Sequence, residues 1–188
     1  ETKNQEWRVR IKGLESRLGL LEEMERTYQG YFPGVRSILV EARNEPFAAG
    51  IRGLVAELIS VKAGYEVALE VALGSALQFV VLEDDAQAQA AIAYLKRSGR
   101  GRATFLPLNM VRGSRATAPG PAEAIKDCGA HYAADLLEYA PEYRGIIDHL
   151  LGNTLVAPDL ARAVSLAKRT GRSLRIVTKE GEEIGRAS

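Results

Sequence analysis

Between Tyr65 and Asp84 the spacing of apolar residues changes once. Ala68, Leu69, Ala72 and Leu73 recur at helical intervals and make one apolar face. Gly74 follows the last apolar turn, where a helix commonly ends on a residue that tolerates the left-handed conformation. Leu77 to Leu82 is then a short, nearly continuous apolar run with Phe79 and two valines, the pattern of a buried strand. The pattern predicts helix, glycine stop and strand in that order.

Tyr143 to Ala157 repeats the order. Tyr143 stands as far before Gly152 as Tyr65 does before Gly74, and Leu77 and Leu155 both lie three residues past their glycine. Each copy runs on through acidic residues into an alanine-rich helix with a basic ending, AIAYLKRSGR at 91–100 and AVSLAKRTGR at 163–172. The second copy is shorter between these anchors. Two related subdomains are expected, facing each other or facing a partner's.

Residues 1–29 read differently. Trp7, Ile11, Leu14, Leu18, Leu21 and Tyr28 follow alternating steps of four and three, broken once by Glu25. That is a heptad seam, weakened by Gly13 and Gly19. It fits either the end of a long coiled coil or a helix docked on the domain. GYFPG at 30–34 breaks it. Val35–Val40 reads as a short strand, Glu41–Gly50 as a polar loop containing Pro46, and 53–61 as a strand or turn. GRATFLPL at 101–108 reads as a strand ended by Pro107. Residues 112–122, rich in Gly, Pro and Arg, read as a linker. Ala124–Asp127 begins the second half with a weak helix or turn. Leu174–Thr178 reads as a strand, and KEGEEIG after it as a hairpin. The expected organisation is a coiled-coil segment (1–29), a first subdomain (30–111), a linker (112–122) and a second subdomain (123–188). Each half is too small for a doubly wound fold, so the expected class is α+β, with small mixed sheets and helices in two pseudo-repeated subdomains.

Composition changes this picture little. The 188 residues are 46% hydrophobic and 26% charged, with a formal net charge of +1, so nucleic-acid contact would have to come from local patches. One cysteine, Cys128, forms no internal disulfide. No apolar run approaches the roughly 20 residues of a membrane span, and no signal peptide is seen. A first residue of Glu rather than Met suggests a cytosolic piece of a longer protein.

Chemical motifs are missing from the sequence. No GxxxxGK[ST], GxGxxG after a strand, CxxC or HExxH occurs. Cys128 and His131 have half of a zinc ligand set. Asp84 and Asp85 fit a carboxylate pair or, more simply, a helix N-cap. No catalytic, cofactor-binding or metal-binding residues are assigned. The basic residues gather in small groups: Arg97, Arg100 and Arg102; Arg112 and Arg115; Lys168, Arg169, Arg172 and Arg175; and Arg8, Arg10 and Lys12. They fit a solvated face or phosphate contacts, with Tyr94 beside Arg97 as a stacking partner. A two-repeat ligand-binding regulatory domain on a signalling helix is the alternative reading, and it predicts a pocket between the halves. An enzyme ranks behind both.

GYFPGV (30–35), GLVAELI (53–59), ALEVALGSALQFVV (68–81), GRATFLPL (101–108) and IIDHLLGNTLVA (146–157), after a heptad segment, resemble the hinge domain of SMC (structural maintenance of chromosomes) proteins, most of all prokaryotic ones. The resemblance covers about residues 30–184. It implies a hinge at the far end of an antiparallel coiled coil, pairing with a second hinge to close a ring that organises chromosomes in the cytoplasm, at the nucleoid. It also implies that the full protein uses ATP and Mg at distant heads, that accessory condensin-type subunits bind elsewhere, and that the hinge touches DNA through basic surface. No membrane is involved. By the resemblance, the first subdomain meets the partner's second through Gly74, Ser75, Gln78, Phe79 and Val80 on one side. Gly152, Asn153, Thr154, Leu155 and Val156 form the other. Family members often carry glycine where Ser75 stands. Both glycines also fit simple helix C-caps. The strands 78–82 and 153–157 are expected as sheet edges that pair across the dimer. Arg97, Arg100, Arg102, Arg112, Arg115, Arg169 and Arg172 are the DNA candidates.

Overall fold

The computed structural model describes residues 2–26, 29–115, 119–170 and 174–184. The heptad stretch is one helix, α1 (Thr2–Arg26). Trp7, Ile11, Leu14, Leu18 and Leu21 are each more than half exposed, so the seam is not docked on the rest of the chain. Tyr28 of that pattern lies outside the described residues.

Pro33 starts a helix rather than a strand. α2 (Pro33–Arg36) continues into a π-helical turn at Ser37–Glu41. Proline at the first helical turn has its φ already set. Val35, Ile38 and Ala42, at steps of three and four, are fully buried. The β-branched run VRSILV suggested a strand, but the burial is helical. The expected loop that follows holds a 3-10 turn, Pro46–Gly50, with Phe47 buried.

The repeat runs further back than the apolar pattern revealed. In the first half β1 (Ile51–Leu54), a 3-10 turn (Val55–Glu57), β2 (Ile59–Val61) and α3 (Glu66–Leu73) precede β3 (Val80–Leu82), α4 (Asp85–Ser98) and β4 (Phe105–Pro107). The second half opens with α5 (Pro119–Asp127), whose first turn lies inside the stretch expected as linker. Next come β5 (His131–Tyr132), a 3-10 turn (Ala133–Leu136) and β6 (Leu137–Tyr139). A further 3-10 turn (Pro141–Tyr143) then leads into α6 (Arg144–Leu151), β7 (Thr154–Ala157), α7 (Leu160–Arg169) and β8 (Arg175–Thr178). The expected hairpin is completed by β9 (Glu183–Ile184).

Pairing follows the repeat. β3 is antiparallel to β1 and parallel to β4; β7 is antiparallel to β5 and parallel to β8. The equivalent strands β2 and β6 pair antiparallel with each other, Ile59 opposite Tyr139 and Val61 opposite Leu137. The fold is α+β.

Strand alternation divides the burial. Val80 and Leu82 join Val35, Ile38, Phe47, Ala91 and Leu95 in a first-half core, while Val81 turns the other way. Leu155, Ala157 and Ile176 join Ala163 and Leu166 in a second-half core. Between the two sheets lies a shared core of Val55, Leu69, Leu73 and Val81 with Ile146, Ile147, Leu151, Val156 and Val177. The remaining space between Val55, Leu58, Ile59 and Val81 on one side and Tyr143, Ile146 and Ile147 on the other is about 10 Å³, room for about one water. The metabolite pocket of the regulatory-domain reading is not found at this contact, although a groove of about 450 Å³ opens between Leu108 and Val111 of the first half and Glu142 and Gly145 of the second.

The expectation of free strand edges fails for both candidates. β3 is the middle strand of β1-β3-β4, and β7 lies inside β5-β7-β8-β9. β3 is paired on both sides along its length, and β7 along its whole β8 side and at Leu155 and Val156 on its β5 side. On β4, which is an edge, Pro107 has no N–H, and its carbonyl accepts from the amides of Met110 and Val111.

Candidate functional site

α3 stops at Gly74, with φ 50° and ψ −125°, a conformation that residues with a Cβ scarcely adopt. The position is exposed, and a Cβ built there would meet nothing within 4 Å. A 3-10 turn, Gly74–Gln78, follows instead of the first part of the expected strand. Ser75 is exposed; Gln78 and Phe79 are half-buried; Val80 is fully buried. The Gln78 side chain is engaged within the chain: its Oε1 accepts the Phe32 amide at 2.8 Å, at the start of α2. Phe79 packs on the shared core.

Gly152 differs from its counterpart. It is buried, and a Cβ there would overlap the backbone carbonyl oxygens of Asp148 and Ser114. Its missing side chain makes room for this chain's own backbone. Thr154, Leu155 and Val156 are buried. Asn153 is exposed, and its carbonyl accepts the Arg175 amide at 2.9 Å. Of the sequence-derived contact residues, Gly74, Ser75 and Asn153 therefore present open surface.

Cross-half contacts surround these turns. Arg175 donates to the Ala72 carbonyl at 2.5 Å and the Val71 carbonyl at 3.2 Å. These belong to the last turn of α3, where a cation meets the negative end of the helix dipole. Arg175 also holds Glu183 through two bonds of 2.8 Å. Those bonds raise the Arg175 pKa and lower that of Glu183. Lys62 Nζ donates to the Asp135 carbonyl at 2.8 Å. Lys179 Nζ sits 4.3 Å from the Tyr65 ring centre, which His131 meets edge-on. Apart from Arg175 with Glu183, eight residues apart in the β8–β9 hairpin, these pairs were not visible in the local sequence pattern, because each joins residues far apart in the chain.

Most of the basic candidates are already paired. Arg97 lies over Tyr94 at 5.9 Å and 3.7 Å from Glu45, while Tyr94 also leans on Phe47. Arg100 pairs with Glu41 at 3.3 Å, and Arg169 with Asp127 at 2.8 Å. Arg115 is held by Asp148 at 2.8 Å and by Asp135, and these bonds raise its pKa, the bond to Asp148 most. Arg102 and Arg112 have no acidic partner among the described residues. Arg102 lines a groove of about 640 Å³ with Ile92, Lys96 and Phe105; Arg112 lines another of about 450 Å³ with Glu142, Arg144 and Asp148. Arg172 lies outside the described residues. Among the described residues no group of His, Cys, Asp and Glu is arranged to hold a metal ion, and no helix is long and apolar enough to cross a membrane.

The chain is 38% identical over 175 residues to the chromosome partition protein Smc of Bacillus subtilis, covering 93% of this chain and 14% of that protein. It is 39% identical over 171 residues to the protein of the same name from Desulfitobacterium hafniense, covering 90% and 14%. The chain thus spans about one seventh of the length of these relatives. Among solved structures, the SMC hinge domain of Geobacillus stearothermophilus, an asymmetric dimer, matches with a TM-score of 0.86 at 40% identity, over 95% of this chain and 70% of that one. The Pyrococcus furiosus Smc hinge domain with an extended coiled coil matches with a TM-score of 0.65 at 32% identity, over 100% and 64%. The profile of the SMC proteins flexible hinge domain matches residues 48–167, the stretch that runs from β1 through α7, and with it the chain belongs to the SMC hinge domain family.

Proposed function

We propose that this chain is the homodimerisation hinge of a chromosome-segregating SMC ATPase, closing a ring at the end of its coiled coil and touching DNA through basic surface. The Gly74 turn carries the reading. It is an exposed backbone segment in a glycine-only conformation with open space where a side chain would stand, so a partner's backbone can come close. Likeness to a hinge solved as a dimer supports the same view. Since β3 and β7 are interior strands, the contact runs through the turns at Gly74–Ser75 and Asn153 rather than through pairing of those strands.

The open seam of α1 supports a coiled-coil partner helix, the returning arm of the same protein. On this reading the domain's work is mechanical, and ATP and Mg act at heads outside this chain. Accessory subunits bind elsewhere in the longer protein, which works in the cytoplasm at the nucleoid. Arg102 and Arg112 are the strongest DNA contacts, because neither forms an ion pair or hydrogen bond with an acidic side chain among the described residues.

Sedimentation from micromolar to nanomolar concentration tests the central claim. A persistent species of twice 20.4 kDa is expected; a monomer at every concentration overturns the reading.

A further inference from the structure

The segment after β4 crosses α6 as a strap. Gly145, Asp148 and Gly152 are spaced three and four apart and share one side of that helix. The strap, Val111 to Arg115, lies along them. The Gly113 amide donates to the Gly145 carbonyl at 3.0 Å. A Cβ on Gly145 would stand 2.9 Å from the Val111 carbonyl oxygen. One on Gly152 would overlap that of Ser114, and one on Gly113 the backbone nitrogen of His149. Glycine is thus required on both surfaces of the contact.

Arg115 closes the strap. Its Nε donates to Asp148 Oδ1 at 2.8 Å, and its Nη1 to Asp135 Oδ1. Asp148 is only 9% exposed; apart from Arg115 it has Arg144 at 3.6 Å. Asp135 belongs to the turn between β5 and β6, so one guanidinium ties the strap to two elements. Bridging two carboxylates from different directions uses the planar fork of arginine, which the point charge of lysine does not reproduce.

We propose that Arg115 is a positioning residue that latches the 111–115 strap onto α6 and thereby fixes the Gly152–Asn153 turn at the surface offered to the partner. Only the last clause rests on the self-association reading. Arg115 is then no DNA contact, although its sequence neighbourhood suggested one.

Lysine separates the two roles. A phosphate contact tolerates Arg115→Lys, because the charge remains; a latch does not. Amide exchange followed by NMR and sedimentation equilibrium are measured on the wild-type chain, Arg115→Lys, Arg115→Gln and Gly145→Ala. The alanine pushes the strap away without touching a charge, and it keeps the test open should Arg115→Gln not fold. In each variant the Gly113 and Gly152 amides are expected to exchange about tenfold faster, and the dimer to weaken by about tenfold. Wild-type exchange in Arg115→Lys overturns the latch. Faster exchange with unchanged dimer affinity overturns the positioning of the partner surface. A wild-type chain that stays monomeric removes the self-association reading instead, while exchange in the monomer still decides the latch.

Discussion

Gly74 and Gly152 hold equivalent places in the repeat and meet opposite demands. Gly74 needs its conformation and has free space; Gly152 has an ordinary helical conformation and no space at all. Their substitutions should therefore part company. Gly74→Glu is expected to leave a folded monomer, with a backbone cost of about 1–3 kcal/mol; circular dichroism and sedimentation together check it. Gly152→Ala forces apart two backbone carbonyls, and urea titration is expected to show a loss of about 1–3 kcal/mol. The sequence alone offered the same reading for both, since local spacing reports that a helix ends. It is silent about Ser114, which comes from a distant segment to fill the space at Gly152. The same holds for Arg115, whose two carboxylates lie 33 and 20 residues away.

Helix ends and helical faces were legible because their causes are local. Asp84 accepts the Gln87 amide and Asp159 the Arg162 amide, each at 2.8 Å, at equivalent N-caps of α4 and α7. Replacing either by alanine is expected to cost about 1 kcal/mol. Because both halves share the core between the sheets, each variant should shift one common denaturation curve rather than split it. Strand order was hidden. Whether β3 is an edge depends on β1 and β4, and no property of 80–82 announces them. At 33–41 local β propensity lost to burial at helical spacing, the usual outcome when tertiary packing disagrees with composition. The joint between α3 and β8–β9 has a pH consequence. Arg175 holds the Glu183 pKa below its usual value, so this pair stabilises the fold above the ordinary carboxylate range. That contribution fades as pH falls through the lowered value. Urea midpoints should drop from pH 5 toward pH 3 by less in Glu183→Gln than in wild type.

For the whole molecule, a net charge of +1 and the pairing of most basic candidates leave little positive surface. Any DNA contact should be modest and only weakly salt-dependent, because few phosphates are neutralised. Arg102→Gln with Arg112→Gln is expected to weaken binding to all sequences alike and to lower the salt slope by about two, roughly 0.9 per lost phosphate contact. Filter binding across a salt series measures it. The α+β class and the internal repeat were legible at this scale, because each half repeats the same run of apolar periods. The antiparallel pairing of β2 with β6, which joins equivalent strands of the two halves, was not. Both are too short to stand out from the apolar background.

One hydrogen bond then acquires leverage. Gln78 closes the turn that begins at Gly74 and grips the Phe32 amide at the start of α2, six residues past the end of α1. With 25 residues at 1.5 Å each, α1 is an arm of about 37 Å. A tilt of about 10° at its root swings the far end by about 6 Å, more than one helical turn. A small change of angle at that end is thus magnified into the direction in which the arm points.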